Sequence, residues 1–146
     1  MLYSRPCEYA IRALTHITVN KDAHLIRAQE IAEIEKLPAP YLAKLLQQLA
    51  RAGLLVSVKG PKGGFGLARS PNEISLLEVV SAVDGEEGFT RCAVGIAECS
   101  DSAPCPLHDT WKPLRTEILD YMEGMSLADL AEAMERKILL VGTDSE

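Results

Sequence analysis

Residues 40–67, PYLAKLLQQLARAGLLVSVKGPKGGFGL, decide how this chain folds. Four leucines recur at the spacing i, i+3, i+4 and i+7, which predicts an amphipathic helix with one apolar face. They are Leu42, Leu45, Leu46 and Leu49. Gly53 follows as the expected C-terminal cap of that helix. Two short apolar runs then flank the glycine-containing segment 59–64, and this order predicts a β-hairpin.

Two further helices are predicted upstream. Apolar residues at helical spacing indicate one helix over about residues 4–20 and a shorter one over 28–35, with Ile31, Ala32 and Ile34 facing inward. The turn 37–40 joins the shorter helix to the leucine-striped one, since Pro40 suits the first turn of a helix. Two helices joined by a tight turn are a helix-turn-helix candidate, and the basic hairpin that follows is a wing. Residues 1–83 are therefore predicted to form a winged helix-turn-helix domain that binds DNA.

The outer face of the leucine-striped helix and the charges around the wing supply the candidate DNA contacts. Contacts to base edges in the groove are expected from Tyr41, Lys44, Gln47 and Gln48. Contacts to phosphates are expected from Arg5, Arg51, Lys59, Lys62 and Arg69. Residues 1–70 hold ten Lys or Arg and five Asp or Glu, a net charge of +5, whereas residues 71–146 carry −11. The overall charge of −6 thus conceals a basic half that coincides with the predicted DNA-binding domain.

The second half of the sequence predicts a loop between helices. Ser75 and Glu78 fit a capping box that starts a helix running to about Val83. Residues 84–106 show neither helical nor strand period, so residues 84–108 are predicted to be a loop with a function of its own. A long helix follows, with Trp111, Leu114, Ile118, Tyr121 and Met122 on one face, and Ser126 begins a last helix. We expect residues 109–141 to supply a dimerisation helix, which pairs with its copy in a homodimer, and a C-terminal helix that packs back on the first domain. The predicted fold class is mainly α with a small β-hairpin.

Three cysteines, Cys92, Cys99 and Cys105, share the predicted loop, and His108 follows the last of them. Thiol and imidazole groups at this density suit a metal or an iron–sulfur cluster better than a hydrophobic core. The cysteines are separated by six and then five residues. Zinc ligands are usually paired more closely, which favours an iron–sulfur cluster over zinc. Zinc binding, a thiol switch and a loop without any cofactor remain the alternatives. Cys7, alone on the first helix, is interpreted as a small buried residue.

The chain resembles the winged-helix regulators typified by IscR and NsrR, often called the Rrf-two family. The resemblance covers nearly the whole chain, and the wing followed by a cysteine triplet is its most specific part. It rests on residues 8–14 (EYAIRAL), 31–32 (IA), 41–42 (YL), 52–54 (AGL), 57–58 (SV), 60–65 (GPKGGF), 78–80 (EVV), 83–85 (VDG) and 126–130 (SLADL), together with the three cysteines.

The resemblance implies a homodimeric transcription regulator, more commonly a repressor, that recognises an inverted repeat in double-stranded DNA. Its cysteine loop would hold a 2Fe–2S or 4Fe–4S cluster that senses redox state, nitric oxide or iron–sulfur status. The spacing C-x6-C-x5-C is one residue longer in its first gap than the common form. Two fourth ligands are implied: His108, as in IscR-like members, or Glu8 of the partner subunit, as in NsrR-like members.

Other classes of protein are not favoured. The sequence has no C-x-x-C pair, no nucleotide fingerprint and no nucleophile–base constellation, so no enzyme is expected. Its apolar runs are far shorter than the roughly 20 residues of a membrane span, and its first residues lack a signal-peptide core. We therefore expect a cytoplasmic location and no membrane partner. A small iron–sulfur electron carrier and a cofactor-free winged-helix regulator are the rival hypotheses.

Overall fold

A computed structural model describes residues 2–20 and 25–143 of the chain, which are mainly helical. Its elements, in chain order, are α1 (Arg5–Val19), α2 (Ala28–Glu35), α3 (Ala39–Arg51), β1 (Leu55–Val58), β2 (Gly64–Leu67), a 3-10 turn (Pro71–Glu73), α4 (Leu76–Asp84), α5 (Glu87–Thr90), α6 (His108–Gly124) and α7 (Leu127–Thr143). The predicted fold class, mainly α with a small β-hairpin, is confirmed. Within the described residues, no helix combines the length and the apolar character needed to cross a membrane.

The α1 helix lies at the centre of the core. It contacts α2, α3, α4, β2 and α7. Its inward face is fully buried at Cys7, Ala10 and Leu14, and all four predicted leucines of α3 are buried against it and its neighbours. Truncating one such buried leucine to alanine costs about 2–5 kcal/mol. The leucine stripe therefore fixes α3 while leaving its other face to solvent.

The inward face of α2 differs from the prediction in one residue. Ile31 and Ala32 are buried as expected, but Ile34 is 62% exposed, so its predicted position is wrong. The inward stripe of α2 contains the buried Ile31 and Ala32 and the half-buried Glu35, positions i, i+1 and i+4, and Ile34 falls outside it. The Glu35 carboxylate can lie inward because Arg12 and His16 of α1 both contact it, at 2.8 and 2.7 Å.

The end of α3 leads directly into the wing. Leu54 N–H donates to Leu49 O at 3.0 Å and Gly53 N–H to Ala50 O at 3.0 Å, while Gly53 has a φ of +81°. This is the Schellman arrangement, in which glycine ends a helix and turns the chain. The strands β1 and β2 then pair antiparallel, with Val58 opposite Gly64.

A third backbone segment, which the sequence did not reveal, fastens the wing to the domain. Ile26 N–H donates to Phe65 O at 2.9 Å, and Phe65 N–H donates to Ile26 O at 2.8 Å. Gly64 passes so close that a Cβ there would lie 2.7 Å from Ile26 O, and its φ is +150°. The wing is therefore held along β2 by the segment that precedes α2.

The starts of α4 and α7 are joined to each other. Leu76 N–H donates to Met125 O at 2.7 Å, and Leu127 N–H donates to Ile74 O at 2.9 Å. The predicted capping box at Ser75 and Glu78 is present. Because these bonds use N–H groups that the first turn of a helix leaves free, they satisfy both helix ends at once.

The predicted loop over residues 84–106 is more ordered than expected. It contains the single-turn helix α5, and residues Arg91 and Glu98 form an isolated antiparallel bridge. Cys92 N–H donates to Ala97 O and Cys99 N–H to Thr90 O, at 3.0 and 2.9 Å. Such short pieces carry too few residues to show a period, so the prediction of a wholly irregular segment is wrong.

Candidate nucleic-acid interface and metal centre

The outer face of α3 and the wing are joined into one exposed surface. Gln47 Nε2 donates to Ser57 Oγ of β1 at 3.1 Å, which links the helix face to the hairpin. We call this the recognition surface; its exposed residues from the predicted set are Tyr41, Lys44, Gln47, Arg51, Lys59 and Lys62. Four of these six side chains are Lys or Arg, as a surface that meets phosphate requires. A polar helix face beside a basic wing is therefore present where the sequence predicted it.

Two of the predicted DNA contacts have partners inside the chain. The amide of Gln48 is half-buried and donates to Ala82 O at 2.9 Å, at the end of α4. The Arg69 guanidinium donates to the Glu78 carboxylate at 2.5 Å. Gln48 thus ties α3 to α4, and Arg69 ties the end of the wing to the α4 capping box.

A cavity of about 310 Å³ lies beside α3, where the N-terminus of α1 meets the end of α4. Lys44 and Arg51 line one side, and Ser4 and Asp84 line the other. Ser4 N–H donates to the Asp84 carboxylate at 2.8 Å, and the Ser4 hydroxyl also bonds it. The Asp84 carboxylate therefore lies at the N-terminal end of α1, where it bonds the N-cap residue Ser4. The exposed Arg5 is the first residue of that helix.

Tyr41 is supported by a chain of contacts that sequence reasoning missed. The rings of Tyr41 and Tyr9 meet edge to face, with centroids 6.2 Å apart. The Arg12 guanidinium lies 5.2 Å from the centre of the Tyr9 ring and bonds Glu35, which also bonds His16. Tyr9, Arg12 and His16 follow the spacing i, i+3 and i+7 and so form a polar stripe on one face of α1. This stripe was the feature of the sequence that could have predicted the contacts.

The cysteine loop brings one thiol against the imidazole. Cys99 Sγ lies 3.3 Å from His108 Nδ1. The backbone of the tight turn after Cys92 and the Cys105 side chain lower the pKa of the Cys92 thiol. The Val94 N–H is the largest of the effects that lower the pKa of Cys92. Among the described residues, no three His, Cys, Asp or Glu side chains lie together as a metal site.

The remaining thiol, Cys7, has a different environment. It is fully buried on α1, and burial first, with Asp84 and Glu8 adding to it, raises its pKa to about 12. Glu8, the second candidate for fourth ligand, is half-buried on the same helix. Its charge adds to the effect of burial, which raises the pKa of both Cys7 and Tyr3. All four cysteines are in the described part of the chain, and each is a free thiol.

Comparison with known proteins places this architecture among transcription regulators. The sequence profile of Rrf2, described as "Iron-dependent Transcriptional regulator", matches residues 3–133. The HTH-type transcriptional regulator IscR of Aliivibrio salmonicida is 33% identical over 122 residues, which cover 84% of this chain and 72% of that protein. The matched relatives are named as regulators of transcription, a class without enzymatic activity.

Solved structures agree on the fold. T. potens IscR superposes with a TM-score of 0.72 at 24% identity, covering 92% of this chain and 88% of that one. CymR, the global cysteine regulator of B. subtilis, superposes with a TM-score of 0.73 at 21% identity, covering 89% and 95%. These structures confirm the winged-helix fold, and the Rrf2 profile match confirms the resemblance inferred from the sequence.

Proposed function

The chain belongs to the Rrf2 family of transcription regulators, and from that premise we propose that it is a homodimeric DNA-binding repressor that senses redox state, nitric oxide or iron–sulfur status through an iron–sulfur cluster. Cys92, Cys99 and Cys105 supply three ligands and His108 the fourth. The cluster supplies a redox-active centre that oxidants, nitric oxide or iron shortage can remove. DNA binding and dimerisation depend on the chain's own residues.

The donor chemistry of the loop fits such a cluster. Thiolates and imidazole are the ligands that iron–sulfur clusters take. The loop holds three thiols and one imidazole, and Cys99 already contacts His108 at 3.3 Å. The N–H groups directed at Cys92 favour its thiolate form, which is the form that binds metal. His108 is favoured over Glu8 because it is the candidate in contact with a loop cysteine.

The recognition surface supports a binding mode in which both α3 and the wing contact DNA. The α3 helix enters the major groove, and the wing reaches the flanking phosphates through Lys59 and Lys62. Two copies present their α3 helices about one helical turn apart, roughly 34 Å, which selects an inverted repeat. Gln48 and Arg69 act mainly within the protein, since both already have partners.

The surface of α6 supports dimerisation. Leu114 and Tyr121 are 54% and 53% exposed, seven positions apart and so on one face of the helix. Exposed apolar side chains on one face of a helix are typical of a surface that a second molecule covers.

The observation that carries the proposal is the contact between Cys99 Sγ and His108 Nδ1 in a loop that also holds Cys92 and Cys105. The test is anaerobic purification followed by iron and sulfide analysis and visible absorption. Wild type and a Cys7→Ser control should contain equal iron and sulfide and show the same absorption. Replacing Cys92, Cys99 or Cys105 by Ser should abolish both. Zinc in place of iron and sulfide, or wild-type protein that stays colourless after reconstitution, would contradict the proposal.

A further inference from the structure

Asp101 links the cysteine loop to α6 through His108. The His108 ring is almost enclosed, with the residue 6% exposed, and its two nitrogens face different partners. Nε2 lies 2.8 Å from Asp101 Oδ1, whereas Nδ1 lies 3.3 Å from Cys99 Sγ. The ring is therefore held in one orientation from both sides.

The ion pair between Asp101 and Lys112 decides which nitrogen of the His108 ring donates to the carboxylate. Lys112 of α6 donates to both carboxylate oxygens of Asp101, at 2.7 and 2.8 Å. A carboxylate whose two oxygens are paired with an ammonium group accepts hydrogen bonds and does not donate them. Nε2 must then be the donor, and Nδ1 is the ring nitrogen left facing Cys99.

We propose that Asp101 is the positioning residue for His108, holding its Nε2–H so that Nδ1 is the nitrogen offered to iron beside Cys99. The inference rests on the cluster of the proposed function and adds to it the ligating atom and the residue that selects it. Asp101 is not itself a ligand here, because Lys112 and His108 already engage its oxygens. A carboxylate behind a ligating histidine fixes the ring and raises its basicity, and losing it typically lowers metal affinity about 10- to 100-fold.

The first test uses metal-free protein, so it does not depend on the cluster. Long-range ¹H–¹⁵N correlation of histidine-labelled protein shows which nitrogen of His108 carries the hydrogen, with His108→Gln assigning the signals. Wild type should show hydrogen on Nε2, protected from exchange with water. Asp101→Ala should lose that protection, and Asp101→Asn, which keeps an acceptor oxygen, should restore part of it. Asp109→Ala removes a neighbouring exposed carboxylate of α6 and should match wild type.

The second test uses the reconstituted protein. Pulsed EPR of the reduced cluster, with ¹⁵N placed only at Nδ1 of histidine, should detect coupling to that nitrogen. Transfer of iron to a chelator should be about 10- to 100-fold faster in Asp101→Ala than in wild type or Asp109→Ala.

Four results would overturn the inference. They are hydrogen on Nδ1 in the wild-type protein, coupling through Nε2, a loaded cluster with no histidine coupling, and Asp101→Ala that behaves as wild type in both tests. Protein that binds no iron or sulfide would instead refute the proposed function, while the first test would still decide the orientation of His108.

Discussion

Cys7 lies fully buried on α1, whereas Cys92 lies on the loop with backbone N–H groups directed at its sulfur. Burial penalises a thiolate, and hydrogen bonds to the sulfur stabilise it. The two environments therefore move the pKa of the same residue type in opposite directions. The interpretation of Cys7 as a small buried residue agrees with this environment.

Alkylation should separate these two thiols. In metal-free protein, the reaction of Cys92 with iodoacetamide should be half-maximal at a pH below the ordinary thiol value of 9.0, because its lowered pKa gives more thiolate at each pH. Cys7, with a pKa of about 12, should remain unmodified at pH 8. Peptide mass spectrometry measures both sites, and all four cysteines should react alike in denaturant. Equal rates for Cys7 and Cys92 in the folded protein would contradict the two environments.

Lys62, at the exposed tip of the wing, provides a second test at this scale. Removing one phosphate contact should weaken binding to all DNA sequences and lower the salt dependence of log K by about one unit of slope. Fluorescence anisotropy across a salt series measures that slope for Lys62→Ala. Lys137→Ala, an exposed lysine on α7, should leave it unchanged. An unaltered slope in Lys62→Ala would remove this side chain from the phosphate contacts.

At the scale of elements, the wing shows what sequence pattern reveals and what it conceals. The leucine stripe, Gly53 and the Ser75 capping box are local signals, and the structure contains each of them. The pairing of Ile26 with Phe65 joins residues 39 positions apart. Because it involves a single residue from each segment, no periodic pattern in the sequence could reveal it. Ile34 was misplaced for a related reason: a charged residue, Glu35, takes an inward position because partners from α1 neutralise it.

The close approach of Gly64 to Ile26 makes the wing sensitive to a single methyl group. Gly64→Ala should lower the free energy of unfolding by about 1–3 kcal/mol, since its φ is +150° and its Cβ would meet the Ile26 backbone. Gly88→Ala is the matched control, because a Cβ there has open space. Urea denaturation followed by circular dichroism measures both. A wild-type midpoint for Gly64→Ala would show that the wing is not held against Ile26.

At the scale of the whole molecule, the sequence indicates the residues of the proposed site but not the contacts among them. The three cysteines and His108 stand close together in sequence, so their density alone indicated a metal site. The role of Asp101 depends on an ion pair with Lys112, 11 residues away, and the support of Tyr41 depends on α1 and α2. Such contacts arise from tertiary packing, which a single sequence does not display.

The exposed face of α6 predicts which substitutions weaken the dimer. Leu114→Asp should weaken the dimer by about 2 kcal/mol or more, roughly thirtyfold, if this residue lies within an apolar interface. Sedimentation equilibrium measures the dissociation constant. Ile34→Asp places the same charge on an exposed apolar residue of α2 and should leave dimerisation unchanged. A dimer unaffected by Leu114→Asp would move the interface away from this face.

The central claim is that a cluster held by the cysteine loop controls the grip of the dimer on DNA. The most direct measurement is the operator affinity of one anaerobic preparation before and after a chelator removes its iron. The iron and sulfide content per subunit is determined for both forms. The two forms should differ at least about tenfold, which needs only 1.4 kcal/mol of differential binding. His108→Ala should not show the difference. Equal affinity of the loaded and emptied wild-type protein for its operator would contradict the account.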